Sequence, residues 1–332
     1  MKRNIIIIMI IGILAVSVFA QEQKTKIMTN DVVCPKCGFK FKASFVLHPD
    51  ALGGQDTDMM LRSLNSNPVS QNVWMCPKCN MGAFPHDFKQ KLPEQIKNVS
   101  FLLSGLKKDA AQISQEDIPA WLKYENAILF YKAKGIDTIS IAGLYIKASW
   151  AARLDSVKYG PEMEAITKVI WKEGINISYR SLQTNYENMA TIAADKIKVT
   201  KIAPAELPLW NIVYADFLRK SGDHLKAFTI LNKVKSAPAA YKKNQSVIDA
   251  SIMLCQKEKF YQQNGFDLLI KELDNNKVMK QQVAELRYAA GELARRTGNK
   301  ATAKKWFEKS LAAVSKEDTF RPVVEQQLKL VQ

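Results

Sequence analysis

Glycine and proline are sparse in this chain, with 14 and 12 residues among 332, and no low-complexity run occurs. With 47% hydrophobic and 24% charged residues, the composition is that of a globular protein rather than a disordered one, and the length fits about two domains. The sequence also lacks the Gly-x-Ser-x-Gly, P-loop, His-Glu-x-x-His and dinucleotide-binding glycine patterns. These absences favour a non-enzymatic protein, and we predict no catalytic residue.

The first twenty residues have the pattern of an export signal. Lys2 and Arg3 precede an apolar run of about 15 residues, shorter than the about 20 that a transmembrane helix needs. Val18 and Ala20 are small enough for the −3 and −1 positions of a signal-peptidase site. We therefore predict a signal peptide at residues 1–20, export to the periplasm, cell envelope or medium, and no transmembrane span in the mature chain.

Basic residues outnumber acidic ones, 48 against 32, and the formal net charge is +16. Such a balance can indicate an anionic partner. The lysines are, however, spread along the faces of the predicted helices, which is typical of solvated surfaces. Binding of an anionic envelope polymer or nucleic acid is therefore kept as an alternative function, although export argues against intracellular nucleic acid.

Four of the five cysteines are paired in two Cys-Pro-Lys-Cys turns, namely Cys34, Cys37, Cys76 and Cys79. Two such turns that face each other supply the four sulfur ligands of a tetrahedral zinc site. Gly38 and Asn80 follow the second cysteine of each turn, and both residue types tolerate the left-handed backbone that this position needs. We therefore predict that the four cysteines hold a structural Zn²⁺ ion.

Other interpretations of the cysteines stay open. Two disulfides, or two redox-active pairs, are normal in an exported protein, although a thioredoxin-type site would need a βαβ context that the sequence lacks. A metal-dependent or thiol-disulfide enzyme is thus the second hypothesis. His48 and His86 lie near the two turns, but four cysteines already complete a zinc site, so both histidines are predicted to lie at the surface or to contact the ligands.

The segment between the two turns is predicted to be structured. Apolar residues alternate with polar ones, the pattern of a half-buried strand, at Phe39, Phe41, Ala43, Phe45 and Leu47. Residues 71–75 predict a second strand. Between them we predict a loop and a short helix that starts at Asp56 and Asp58, whose carboxylates cap it, and ends at Asn67-Pro68. Residues 31–90 are thus predicted to form a small zinc-ribbon-like β module.

These elements resemble a bacterial family that is known only as a domain of unknown function. The family combines two Cys-Pro-x-Cys turns with an aromatic strand, an acidic pair before a short helix, an Asn-Pro and helical repeats. The corresponding positions are Cys34 to Cys37, Phe39 and Phe41, Asp56 and Asp58, Asn67-Pro68, and Cys76 to Cys79. The chain departs from the family at Asn80-Met81, where glycine and an aromatic residue are usual. The resemblance implies an architecture and no activity.

From Leu92 onward the sequence predicts only helices, and two segments fit the tetratricopeptide (TPR) repeat of about 34 residues. In residues 284–311, Gly291 is the small residue where two helices cross, and Gly298 ends the first helix. Residues 208–234 repeat the pattern with Gly222 as the helix stop.

Residues 144–174 and 246–274 are predicted to form two weaker helix pairs. In the first of them Arg153 occupies a position where a small residue is expected. Cys255 lies in an apolar stripe and is predicted to be buried, whereas His224 follows a turn and is predicted to face solvent. The aromatic residues recur at helical spacing and are predicted to be core residues.

The sequence therefore predicts a mainly α protein, with the zinc-ribbon-like module at residues 31–90 followed by a TPR-like right-handed superhelix at residues 92–332. Stacked helices of this type present a continuous groove that binds peptides or protein segments. The expected function is that of an exported, non-enzymatic scaffold or adaptor with a protein or peptide partner.

Overall fold

The computed structural model describes residues 26–48, 50, 52–64, 66, 68–103, 105–106, 109–175, 181–199, 201–275 and 282–332. Within these residues the protein is mainly helical, with twelve α-helices and a small N-terminal β region beside a cysteine cluster. The predicted fold class is confirmed, and the helical packing is consistent with a repeat-like domain. None of the described helices is both long and apolar enough to cross a bilayer. The predicted signal peptide at residues 1–20 lies outside the described residues.

The β region consists of two antiparallel ribbons. Strand β1 (Lys26–Val33) pairs with β2 (Lys40–His48), and β3 (Trp74–Met75) pairs with β4 (Gly82–Ala83). In β2 the side chains of Phe41 and Ala43 are buried, whereas Lys40 and Lys42 are exposed. The first predicted strand is therefore confirmed, and its alternation results from one face packing on the core. The second is confirmed only at Trp74–Met75, because Gln71 ends a short helix.

The insertion between β2 and β3 lacks the predicted helix. Its described residues 52–64 form turns and one short β-bridge, and helix α1 (Pro68–Gln71) begins where the predicted helix should end. Met59 has a left-handed φ of 69°, and its N–H donates to the carbonyl of Asp56, so the chain reverses at this point. A left-handed residue here prevents a continuous right-handed helix. Asn67 lies outside the described residues.

The remaining helices are mostly arranged as hairpins. They are α2 (Glu94–Lys97), α3 (Ala120–Lys134), α4 (Thr138–Leu154), α5 (Pro161–Gly174), α6 (Leu182–Val199), α7 (Leu207–Ser221), α8 (His224–Lys235), α9 (Pro238–Asp274), α10 (Val283–Arg296), α11 (Lys300–Leu311) and α12 (Arg321–Lys329). Gly135, Gly222 and Gly298 form the turns of the α3/α4, α7/α8 and α10/α11 hairpins with left-handed φ values of 78°, 95° and 92°. The two predicted glycine stops are therefore confirmed.

The two weaker predicted helix pairs are wrong. Residues 246–274 belong to the single helix α9, which is kinked at Asn244 and contains no left-handed stop. This helix packs along α4, and a Cβ on Gly265 would lie 3.3 Å from the side chain of Ile146, so the glycine permits a close approach rather than a turn. Residues 144–174 do not form a hairpin either, because α4 packs mainly on α3 and α9, whereas α5 packs on α6 and α7.

One hydrophobic core joins the β region to the first helices. It includes Phe41 and Trp74 from the strands, Tyr124 from α3 and Tyr145 from α4. The hydroxyl of Tyr124 also donates a hydrogen bond to the carbonyl of Val69 in α1. The hydrophobic core is thus continuous across residues 90–92, where the predicted module meets the predicted helical domain.

The α10/α11 crossing provides a test of this packing. A Cβ on Gly291 would lie 2.6 Å from the ring of Phe307, whereas a Cβ on Gly143 in α4 would meet no atom within 4 Å. We expect Gly291→Ala to lower the free energy of unfolding by about 1–3 kcal/mol because the ring must move. We expect Gly143→Ala to raise it by up to about 1 kcal/mol because alanine favours the helix. Urea denaturation measures both values, and shifts of the same sign and size would contradict the prediction.

Candidate metal centre and buried charge cluster

The four paired cysteines come together in the structure. The Sγ atoms of Cys34 and Cys79 are 3.6 Å apart, as are those of Cys37 and Cys76. All four sulfur atoms lie within 4.8 Å of one another. Each short distance joins one turn to the other, so the two turns face each other across a single sulfur cluster.

The two turns share one backbone geometry. In each, the N–H of the first cysteine donates to the carbonyl of Phe39 or Met81, and the N–H of Gly38 or Asn80 donates back to the first cysteine. Gly38 and Asn80 are both left-handed, with φ values of 72° and 60°. Asn80 therefore takes the place of glycine in the second turn, as its tolerance of positive φ predicts.

This donor set fits a tetrahedral ion with soft ligands. Zinc–sulfur bonds of about 2.3 Å place the sulfurs about 3.8 Å apart, close to the 3.6 Å seen across the turns, whereas a disulfide needs about 2.05 Å. Hydrogen bonds with Cys76 and Cys79 lower the pKa of Cys34, and hydrogen bonding to Cys34 raises the pKa of Cys76. A divalent cation would let all four thiols ionise. The cysteines could therefore bind a metal ion.

Among the described side chains, no histidine provides a ligand atom to the sulfur cluster. The ring of His86 is 61% exposed, stacks on Phe84 and places Nε2 3.0 Å from a carboxylate oxygen of Asp87. The side chain of His48 lies outside the described part of the chain. Among the described residues, only cysteines place their ligand atoms close enough together to bind one metal ion at this site.

The acidic pair of the insertion is buried and binds arginine. Asp56 accepts hydrogen bonds from Nε and Nη2 of Arg62 at 2.8 and 2.7 Å, and from Nη1 of Arg153 at 3.1 Å. Asp58 accepts from Nη2 of Arg153 at 2.6 Å and from the indole N–H of Trp150 at 3.1 Å. The predicted role as helix caps is wrong, because these carboxylates pair with side chains on α4, up to 97 residues further along the chain.

Arg153 joins the insertion to two helices. Its side chain is 0% exposed, and its guanidinium group donates to Asp56, Asp58 and, through Nε at 2.8 Å, Glu258 of α9. In the sequence, Arg153 is notable only because it occupies a position where a small residue is expected. That arginine is the one sequence feature that indicates a buried ion pair, since an arginine in an otherwise apolar helix stripe requires buried acidic partners.

A fourth carboxylate lies beside this set. Glu292 of α10 accepts hydrogen bonds from Arg295 and Arg296 at 2.7 and 2.9 Å, and the hydroxyl of Thr57 donates to it at 2.5 Å. We refer to the whole assembly as the charge cluster, which consists of Asp56, Asp58, Glu258, Glu292, Arg62, Arg153, Arg295 and Arg296. Its four negative and four positive groups balance, which offsets the cost of burying them.

Opposite charges lower the pKa of two of the buried carboxylates, Asp58 and Glu292. Burial alone would raise the pKa of Asp58, but the charges of Arg153 and Arg296 outweigh burial and hold that pKa well below its usual value. For Glu292, Arg296 and Arg295 likewise outweigh burial and lower the pKa. Asp58 and Glu292 are therefore charged at neutral pH, and their contribution to stability is lost as the pH falls through the range in which they take up protons.

His224, the first residue of α8, borders the charge cluster. It is only 1% exposed, so the prediction that it faces solvent is wrong; the first turn of α8 packs against α9. Burial lowers the pKa of His224 although Nδ1 lies 3.7 Å from a carboxylate oxygen of Glu258. Cys255 of α9 is buried, which confirms its prediction, and burial raises its pKa to about 12.

A polar groove of about 1120 Å³ lies on one side of the charge cluster. Its walls come from α6, α7, α8, the end of α10, α12 and the tip of the insertion. The lining includes Thr57, Tyr214, Lys226, Arg295 and Gln327. Gln327 is 2% exposed, and its side-chain oxygen has no hydrogen-bond partner among the described residues. One buried side-chain oxygen beside the groove, that of Gln327, is therefore left without a partner among the described residues.

Comparison with known proteins identifies one family. The model of the family described as an uncharacterized protein conserved in bacteria (DUF2225) matches residues 27–257, a span that includes both cysteine turns, the acidic insertion and the helices into α9. The match covers more than half of the chain, so the chain belongs to this family, and the resemblance noted in the sequence is confirmed. Neither a curated protein nor a solved structure matches the chain.

The role of Arg153 can be tested by Arg153→Met, which keeps a long side chain and removes the charge. Three buried carboxylates then lose a partner, and we expect the free energy of unfolding to fall by about 3–5 kcal/mol. The control is Arg321→Met, whose Nε pairs with Glu325 at 2.9 Å on the surface and should cost less than about 1 kcal/mol. Chemical denaturation measures both changes. Equal losses in the free energy of unfolding would contradict the role of Arg153 as a buried arginine shared by three carboxylates.

Proposed function

We propose that this protein, as a member of DUF2225, is a non-enzymatic scaffold or adaptor of the cell envelope that binds a peptide segment of a partner protein. The observation that carries this proposal is the polar groove between the helices, whose floor includes the tip of the insertion. Helical repeats bind partners through such concave surfaces. The proposal requires no catalytic residue.

The metal centre in this proposal is structural and holds Zn²⁺. Cys34, Cys37, Cys76 and Cys79 would supply all four ligands, and a site closed by four protein ligands has no open position for substrate. Bound zinc stabilises the fold and keeps the thiolates from oxidation. Its role is therefore to fix the two ends of the insertion, so that the tip is held in the groove.

The groove suits an extended peptide because its lining is mixed in sign and rich in hydrogen-bonding groups. Lys226 and Arg295 contribute positive charge, Glu187 and Asp223 contribute negative charge, and Gln327 contributes an unused amide oxygen. A peptide presents both amide groups and side chains of either charge, so it can satisfy such a lining. The volume of about 1120 Å³ exceeds that of most small-molecule sites, which is about 300–1,000 Å³.

The helical architecture in this proposal is TPR-like. The α7/α8 and α10/α11 hairpins both have a glycine stop and small residues at the crossing, such as Ala215, Ala227, Gly291 and Ala303, all buried. The signal-like pattern of residues 1–20 supports a location outside the cytoplasm. A scaffold with a pre-formed groove and no cofactor chemistry fits that compartment.

Metal analysis with thiol counting tests the metal centre. In protein purified from its native compartment we expect one zinc ion per chain and no alkylation of the four cysteines until a chelator is added. Cys76→Ser should abolish stoichiometric zinc, whereas Cys255→Ser, which changes a cysteine outside the cluster, should keep it. Two disulfides detected by mass, or free thiols that reduce insulin, would contradict a structural zinc site.

Two matched threonine variants test the groove. Thr191 of α6 lines it, and Thr229 of α8 is exposed outside it; both hydroxyls donate at 3.0 Å to a carbonyl of their own helix. Peptides selected from a random phage library on the wild-type protein should bind Thr191→Trp at least about tenfold more weakly, because the indole fills the groove. Thr229→Trp should bind them normally. Fluorescence anisotropy gives the affinities, and equal binding to both variants would rule out the groove.

A further inference from the structure

A second cavity lies next to the polar groove and shares Leu225 of α8 with it. We call it the outer cavity; it has a volume of about 450 Å³ and lies between α8 and α9. Its size is within the range of about 300–1,000 Å³ that is common for small-molecule sites. The proposed binding of a peptide in the polar groove gives the outer cavity no role.

The walls of the outer cavity are mostly apolar. Leu225 and Phe228 from α8 face Phe260 from α9, and polar side chains at Gln256, Lys259 and Gln263 also line it. Phe260 is 50% exposed, so its ring is accessible to a ligand in the cavity. An apolar cavity with a few polar groups is the usual chemistry of a site for a small organic ligand.

His224 provides the unusual polar group of this cavity. It lines the cavity, is only 1% exposed, and neither ring nitrogen has a hydrogen-bond partner among the described residues. Buried polar atoms are normally paired. Because burial lowers its pKa, the ring is neutral at pH 7 and offers one donor and one acceptor. Rotation about the soft torsion of the ring can turn a nitrogen toward the cavity.

We infer that the outer cavity binds a small uncharged aromatic molecule with one hydroxyl group, whose ring packs against Phe228 and Phe260 and whose hydroxyl pairs with His224. A hydroxyl can donate or accept, so it matches either tautomer of the imidazole. An ionic group would be disfavoured beside His224, because the charges near that ring, Glu258 and Arg153, already pair with each other at 2.8 Å.

The test uses p-cresol as the probe and toluene, which lacks only the hydroxyl, as its matched control. The chain contains three histidines, so NMR of labelled imidazole rings resolves them, and His48→Gln and His86→Gln assign the His224 signal by elimination. We expect p-cresol to shift the His224 signal saturably, to leave that of His86 unchanged, and to bind at least about tenfold more tightly than toluene, the effect of one buried hydrogen bond.

Variants separate this site from a non-specific apolar surface. Phe260→Ala should weaken p-cresol binding about tenfold, whereas Leu103→Ala, which truncates a side chain that is 80% exposed elsewhere, should have no effect. Thr191→Trp, which fills the polar groove, should also leave p-cresol binding unchanged. The inference is overturned if the His224 signal does not shift, if toluene binds as tightly as p-cresol, or if Phe260→Ala binds p-cresol normally.

Discussion

The pairing of Asp56 and Asp58 with Arg153 is the interaction on which the rest of the structure depends. Three chain segments meet in it: the insertion of the β region, α4, and α9 through Glu258. Each of these charges would be costly to bury alone, and each is tolerated only because the others are in place. The position of the insertion is therefore set by the helices, and the packing of α9 on α4 is in turn set partly by the insertion.

The cysteine cluster acts on the same insertion from its opposite end. Residues 38–75 leave and re-enter the two cysteine turns, so the sulfur cluster closes this segment at its base while the charge cluster fixes its tip. Thr57 at the tip donates to Glu292, and its carbonyl accepts from Tyr288. The floor of the polar groove is thus part of the N-terminal module. The sulfur cluster holds this segment at its base, and the charge cluster holds it at its tip. In the proposed peptide binding, a groove floor held at two points would reduce the entropy lost when the peptide binds.

Local patterns predicted the features that depend on local geometry. The cysteine turns, the left-handed Asn80, the alternation in β2 and the glycine stops at Gly222 and Gly298 are each fixed by a few neighbouring residues. The charge cluster could not be predicted in this way, because Asp58 and Arg153 are 95 residues apart. A short acidic motif before apolar residues has the same local pattern as a helix cap. His224 was misplaced for the same reason, since its burial depends on α9 and not on the turn that precedes it.

A buried ion network is not required for stability, because well-packed apolar residues of similar volume often stabilise a core equally well. Its value lies in specificity: a carboxylate that is displaced by one residue loses several charged hydrogen bonds at once, whereas an apolar contact tolerates such a shift. In this protein the residue between the two aspartates, Thr57, lines the groove. A displacement of the insertion by one residue would replace Thr57 there by a carboxylate and alter the surface of the groove. The charge cluster is therefore best understood as the device that fixes the register of the groove floor.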